Sequence, residues 1–195
     1  MQSPLASRKK QSRSGTQPRI GRPYDNMRHR TSIAFCLLSA PAFACSISYR
    51  PSAADMVKNA EVIVRATALE YSVPPGAMRT TGVPASKVHF QVTETIRGNA
   101  GADLILPGYL SDRDDFNERP VPYDFVRPGG RSGSCFANSY RAGGQFVLAL
   151  KKNPAGDLTV DWYALGPVNE QLHSDTDPWL LWVRDEVKRT ATTGK

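Results

Sequence analysis

Lys87-Val88-His89-Phe90-Gln91-Val92-Thr93-Glu94-Thr95-Ile96 is the stretch that decides the fold. Val88, Phe90 and Val92 fall on alternate positions with polar residues between them, the period of a strand with one buried face. The run stops at Arg97-Gly98-Asn99, a turn signal. Upstream, Val62, Val64, Ala66 and Ala68 alternate with Ile63, Arg65, Thr67 and Leu69, and Pro74-Pro75-Gly76 ends that strand. Downstream, short strands are expected at 103–106, 145–151 and 158–165, with Pro154-Ala155-Gly156-Asp157 as the hairpin turn between the last two. Five short strands with no long helix between them predict a small all-β barrel.

Two helices flank the strands. Ser52-Ala53-Ala54-Asp55 has the capping-box pattern with Asp in place of Glu, and Met56 to Ala60 continue a short N-terminal helix. Asp177-Pro178 is a cap followed by a first-turn proline, and Trp179, Trp182, Val183 and Val187 recur at helical spacing. That C-terminal helix is expected to pack on the barrel through its tryptophan face. Between the third and fourth strands lies a long polar segment, 109–141, with Pro120, Pro122, Pro128, Gly129 and Gly130 inside it. A loop of that length in a small domain is either functional or disordered.

The start of the chain reads as an export signal. Arg28 and Arg30 form a charged region, the run from Ile33 to Leu38 is apolar, Pro41 breaks the helix, and Ala42-Phe43-Ala44 stands as a cleavage site before Cys45. Residues 1–26 are basic and rich in Ser, Gln, Pro and Gly, and are expected to be disordered or a mis-assigned start. The expected layout is therefore a signal at 27–44, one domain at 45–189 and a disordered tail at 190–195. The exported product has its place in the periplasm or outside the cell.

Removing the first 44 residues changes the electrostatics. They hold eight of the 25 Lys and Arg and one of the 18 Asp and Glu, so the formal +7 of the whole chain falls to zero in the mature part. A neutral domain has no sequence-wide footprint for phosphate backbones, and no nucleic-acid partner is expected. The apolar part of the signal is far short of the roughly 20 residues that span a bilayer, so no transmembrane segment is expected either.

Cys36 leaves with the signal, which pairs Cys45 with Cys135 as the simplest disulfide in an oxidising compartment. The chain-entropy model gives such a long loop about 4 to 5 kcal/mol as an upper value. Two alternatives stand beside it: two unpaired thiols, or lipidation of Cys45, with Ala42 where lipoprotein signals usually carry Leu.

Catalytic motifs are scarce. His89 sits on the polar side of its strand and His173 in a loop, and both read as surface histidines. Ser134 and Ser139 are hydroxyl candidates without a neighbouring base. Asp112 and Asp114 in the acidic run 112–118 fit the alternate spacing of a calcium loop. The glycine of its sharp turn is absent, and Arg113 and Arg119 supply counter-charge, so the run reads as a solvated loop. No metal, cofactor or enzyme activity is expected.

A first mature residue Cys45, a short helix, the strand starting Ala60-Glu61-Val62-Ile63-Val64, the strand 88–98, Cys135 and Gly144-Gln145-Phe146-Val147-Leu148-Ala149-Leu150 together form a recognisable order. It resembles the secreted family that includes bacterial homologues of the tissue inhibitors of metalloproteinases and the netrin-type modules. The resemblance covers roughly 45–165 and implies a mainly β fold, a five-stranded, OB-like, TIMP-like closed barrel. In the animal inhibitors it further implies a wedge in which the α-amine and carbonyl of the first cysteine, here Cys45, chelate a protease's zinc. The next side chain, here Ser46, would enter the specificity pocket. Where the family has a second cysteine this chain has Ile47. The resulting expectation is an exported, monomeric, non-catalytic binding module, in its sharper form a metalloprotease inhibitor with a zinc protease as partner. Its rivals are a small periplasmic hydrolase using the 109–141 loop and a lipid-anchored envelope protein.

Overall fold

Ser52 starts the first helix by a reciprocal cap: its Oγ accepts from the Asp55 backbone N–H at 3.1 Å, and its own N–H donates to Asp55 Oδ2 at 3.3 Å. The helix, α1 (Ala53–Asn59), turns Ala53, Met56 and Val57 into the core. This is a computed structural model that describes residues 49–74, 85–132 and 134–193. The expected signal at 27–44, the stretch 1–26 and the candidates Cys45 and Ser46 lie outside the described residues.

Next comes β1 (Val62–Val73), with Val62, Ile63, Val64, Ala66 and Ala68 buried. It pairs antiparallel with both β2 (Lys87–Arg97) and β6 (Gln145–Lys152), so Ile63 lies opposite Arg97 on one side and Ala149 on the other. Val62, Ile63 and Val64 are all buried, so both faces of β1 are covered at its start, which accounts for the unbroken apolar run there. β3 (Asp103–Pro107) adds to the far side of β2, with Phe90 opposite Leu104. β6 carries five consecutive buried residues, Phe146 to Leu150. Along its other side, β8 (Asn169–Leu172) pairs with 145–148, and β7 (Leu158–Val160) pairs with 150–152. The six strands make one antiparallel sheet in the order β3-β2-β1-β6-β7, with β8 beside β6. β3 and β7, the two ends of that path, approach within 8 Å between Cα atoms. No ladder joins them among the described residues.

At Gly98, φ is +72° and a Cβ would stand 2.4 Å from the Glu61 carbonyl oxygen. Only glycine turns the chain there without displacing the start of β1. The core beneath the sheet is built on Phe90, Tyr140 and Phe146, which meet edge to face at centroid distances of 4.8, 5.1 and 6.3 Å. The second helix, α2 (Pro178–Thr193), buries Trp179, Leu180 and Val183. Trp179 stacks between Tyr123 at 4.7 Å and Trp182 at 5.1 Å, so the tryptophan face is core.

The five expected strands are present, with four differences, one of them that the segment expected as a loop at 109–141 starts and ends in a short two-stranded parallel sheet. The strand expected at 158–165 stops at Val160, because the next stretch turns to reach a residue with positive φ at Leu165. A further strand, β8, is made of Asn169, Glu170, Gln171 and Leu172, all four buried. Helix α2 runs on to Thr193, past the limit expected at 189. No described helix is long and apolar enough to cross a membrane.

Candidate functional site

The 109–141 segment is held shut at its neck by a short parallel pair, β4 (Tyr109–Ser111) and β5 (Ser139–Arg141). Joining the two ends of a long excursion costs chain entropy that the ladder alone does not repay, so the interior of the loop must contribute. It does so through buried charge.

Arg127 is fully buried. Its Nε donates to the Asn169 carbonyl at 3.0 Å, Nη2 to the Ala137 carbonyl at 2.7 Å, and Nη1 to the Asp115 carboxylate. The guanidinium carbon lies 5.5 Å from the Tyr140 ring centroid and 5.4 Å from that of Phe146. Glu170 is buried as well. Its Oε1 accepts from the Arg127 backbone N–H at 3.1 Å, and Oε2 accepts from Asn117 Nδ2 at 2.8 Å. Burial pushes the Glu170 carboxyl up to about 7, against the pull of Arg127 and of the Asn117 hydrogen bond. Asn117 also donates to the Phe125 carbonyl, and Asp115 accepts from the Gly129 N–H, both at 2.8 Å. Gln171 clamps the acidic run from the strand side: its Oε1 accepts from the Asp115 N–H and its Nε2 donates to Asp114.

The acidic run expected as a solvated loop therefore turns Asp115 and Asn117 inward, because the loop must satisfy Arg127 and Glu170 away from water. Asp112 and Asp114 remain exposed, and no described group of three or more His, Cys, Asp or Glu could hold a metal ion. Among the described residues two buried side-chain atoms have no hydrogen-bond partner, Asn169 Oδ1 beside the network and Trp179 Nε1 in the helix.

At the far side of the loop, Cys135 is disulfide-bonded. The chain's other two cysteines, Cys36 and Cys45, lie outside the described residues. Cys135 has φ of +61° and Leu165 of +59°, conformations unusual for side chains with a Cβ. The two are joined directly, the Leu165 N–H donating to the Cys135 carbonyl at 2.8 Å, while the Leu165 carbonyl accepts from Val126 N–H at 2.9 Å. Phe136 packs edge to face on Trp162 at 5.6 Å. The first described residues return to the same loop: the Arg50 guanidinium carbon lies 5.0 Å from the Phe125 ring centroid.

The remaining candidates separate. Ser134 Oγ donates to the Phe136 carbonyl, and Ser139 is half-buried in β5. His89 Nε2 is 2.7 Å from Asp103 Oδ1. His173 stacks on Phe116 at 4.0 Å, with Nδ1 3.0 Å from the buried Asp177 carboxylate. That carboxylate also accepts the backbone N–H groups of His173 and Trp179, both at 2.8 Å, so its chief work is capping α2. The described hydrogen bonds join neither serine to a histidine. Sequence reasoning missed Arg127, Asn117 and Glu170. Polar residues in polar surroundings carry no periodic signal, and the only hint was a proline-glycine cluster directly after Arg127. No family model matches the chain, and neither does any curated protein.

Proposed function

We propose that the mature chain is an exported, monomeric, non-catalytic binding module of the inhibitor-like OB type, its sharper role being inhibition of a zinc protease. One observation carries the reading. Arg50, five residues after Cys45, packs on Phe125 of the loop, and that loop presents the half-cystine Cys135. Four residue steps from Tyr49 back to Cys45 span at most about 14 Å of extended chain. A Cys45–Cys135 bridge would fix the mature N-terminus on a platform already held by Arg127 and Glu170. Presenting an α-amine and a carbonyl from a fixed backbone lowers the entropy lost on chelating a partner's zinc. The approach of β3 to β7 supports an OB-like barrel closed along that seam.

Asp115, Asn117, Arg127 and Glu170 bind one another, which favours a structural role for them over the hydrolase alternative. The test is intact mass and disulfide mapping of the exported protein, followed by titration against a panel of zinc endopeptidases. A chain beginning at Cys45, a Cys45–Cys135 bridge, and stoichiometric inhibition abolished by acetylating the α-amine are expected. A lipid mass on Cys45, a chain that keeps residues before it, or inhibition indifferent to acetylation overturns the chelating mechanism.

A further inference from the structure

Phe125 is half-buried, and three guanidinium carbons stand round its ring, Arg50 at 5.0 Å, Arg131 at 5.4 Å and Arg119 at 5.5 Å from the centroid. Each contact with the ring is worth about 0.5–1 kcal/mol at an exposed site, which helps to gather the three charges but leaves them uncompensated. The local anion is Asp124, and it takes Arg119 alone, in a two-point pair at 2.7 and 3.1 Å. Arg131 is satisfied by neutral oxygens, the Val126 carbonyl at 2.7 Å and Asn117 Oδ1 at 3.1 Å. No described carboxylate hydrogen-bonds Arg50. Two of the three positive charges thus have no carboxylate hydrogen-bonded to them among the described residues, and both residues are exposed. Next to them lies a cleft of about 370 Å³, lined by Pro122, Tyr123 and Trp182 together with Arg50 and Asp124.

We infer that this surface docks a segment of a partner protein that presents a carboxylate side chain beside an apolar one. The carboxylate would bridge Arg50 and Arg131, and the apolar side chain would fill the cleft against Trp182. Asp124 supplies the precedent within the fold: Arg119 and Arg50 hold its carboxyl below the ordinary range, so the field of the cluster favours an ionised carboxylate. The apolar cleft favours a peptide over a free anion, which would gain nothing from it. The inference rests on the reading of the chain as a binding module and names the chemistry of its partner.

The probe is a hexapeptide of alternating glutamate and leucine, titrated into the bridged mature chain at constant ionic strength. Nitrogen-15 NMR would follow the arginine Nε–H and tryptophan indole signals. Shifts centred on Arg50, Arg131 and Trp182 are expected, with affinity falling at least about fivefold in Arg50→Gln and further in Arg50→Gln/Arg131→Gln. Arg50→Gln removes an exposed side chain and keeps the test open if Arg131→Gln disturbs the loop. Equal binding by the variants, equal binding of a lysine–leucine hexapeptide, or inorganic phosphate producing the same shifts overturns the inference. A chain that inhibits a zinc endopeptidase while ignoring the peptide overturns this inference alone. One that binds the peptide and inhibits none overturns the chelating mechanism alone.

Discussion

Glu170 gives the fold a pH dependence that can be worked out in advance. Its ordinary value is 4.5 and burial lifts it to about 7. A carboxyl whose value is raised on folding holds its proton more tightly in the folded state than in the unfolded chain. Its contribution is therefore full below pH 4.5, declines as the pH rises and is gone above 7, which is opposite to the usual carboxylate. A shift of this size corresponds to about 3 kcal/mol at 1.36 kcal/mol per unit, with the hydrogen bonds that Arg127 and Asn117 donate already opposing it. Asp55, Asp124 and Glu186 are shifted the other way, so their contributions are lost only as the pH falls through the acid range. Within pH 5 to 8 the part of the slope that Glu170→Gln removes therefore belongs to Glu170. The assay is urea unfolding of the non-reduced protein, read by tryptophan fluorescence at pH 5, 6, 7 and 8 and constant ionic strength. Stability should fall by up to about 3 kcal/mol across that range. In Glu170→Gln the slope should vanish. One amide NH₂ would then face a donor, so the variant should be about 1–3 kcal/mol less stable at pH 5 and should converge with the parent near pH 8. A parent whose stability is flat or rising over this window, or a variant that keeps the slope, refutes the reasoning.

Arg127→Met should cost about 3–5 kcal/mol in the same unfolding assay, because Asp115 would be left without its cation and the Asn169 and Ala137 carbonyls without their donor. Its loss should exceed that of Arg113→Met, an exposed arginine next to the run, by most of that amount. Gly98→Ala should destabilise by more than about 1 kcal/mol, since alanine meets both the positive φ and the Glu61 carbonyl. The measurement is the urea midpoint, with unchanged slope showing that the unfolded reference is unaltered. Cys135→Ser should lower stability by about 2–5 kcal/mol and raise proteolysis ahead of Tyr49, as measured by mass spectrometry of limited digests.

The residues that announce themselves in the sequence are those whose neighbours on one face are apolar and on the other are water. Lys87 to Ile96 is such a run, and its partner strand 103–107 is nearly so, while 145–152 stands out as an unbroken apolar run buried on both faces. Ser52-Ala53-Ala54-Asp55 was legible because a cap is a local object whose two halves are three residues apart. β8 is the contrary case. Asn169-Glu170-Gln171 has no apolar member, and its burial depends on donors supplied by Asn117, Arg127 and Asp115, more than 40 positions earlier. Nothing within a window of ten residues encodes that partnership. The same holds for the turn inward of the acidic run: Asp112, Asp114 and Asp115 are alike in sequence and differ only in what stands opposite them.

Why a loop should be held by buried charge when apolar packing would serve follows from its composition. Residues 109–141 hold few aliphatic side chains beyond Leu110, Val121 and Val126, and of their aromatics only Tyr123 and Tyr140 are buried, so much of the segment has no apolar anchor. Hydrogen bonds to a charged group are worth about 1.5–3 kcal/mol each and, unlike apolar contacts, have directions. Arg127 spends three of them on fixed carbonyl and carboxylate oxygens, so the loop is located in one register against β8. The backbone conformations at Cys135 and Leu165 then become affordable, since a strained pair persists only where its surroundings over-determine it. Loosening Arg127 or charging Glu170 should therefore be felt at Cys135, and on the proposed reading at the mature N-terminus. That link is measurable: amide exchange at Leu165, whose N–H is bonded to Cys135, should speed up between pH 6 and 8 beyond the chemical rate in the parent and not in Glu170→Gln.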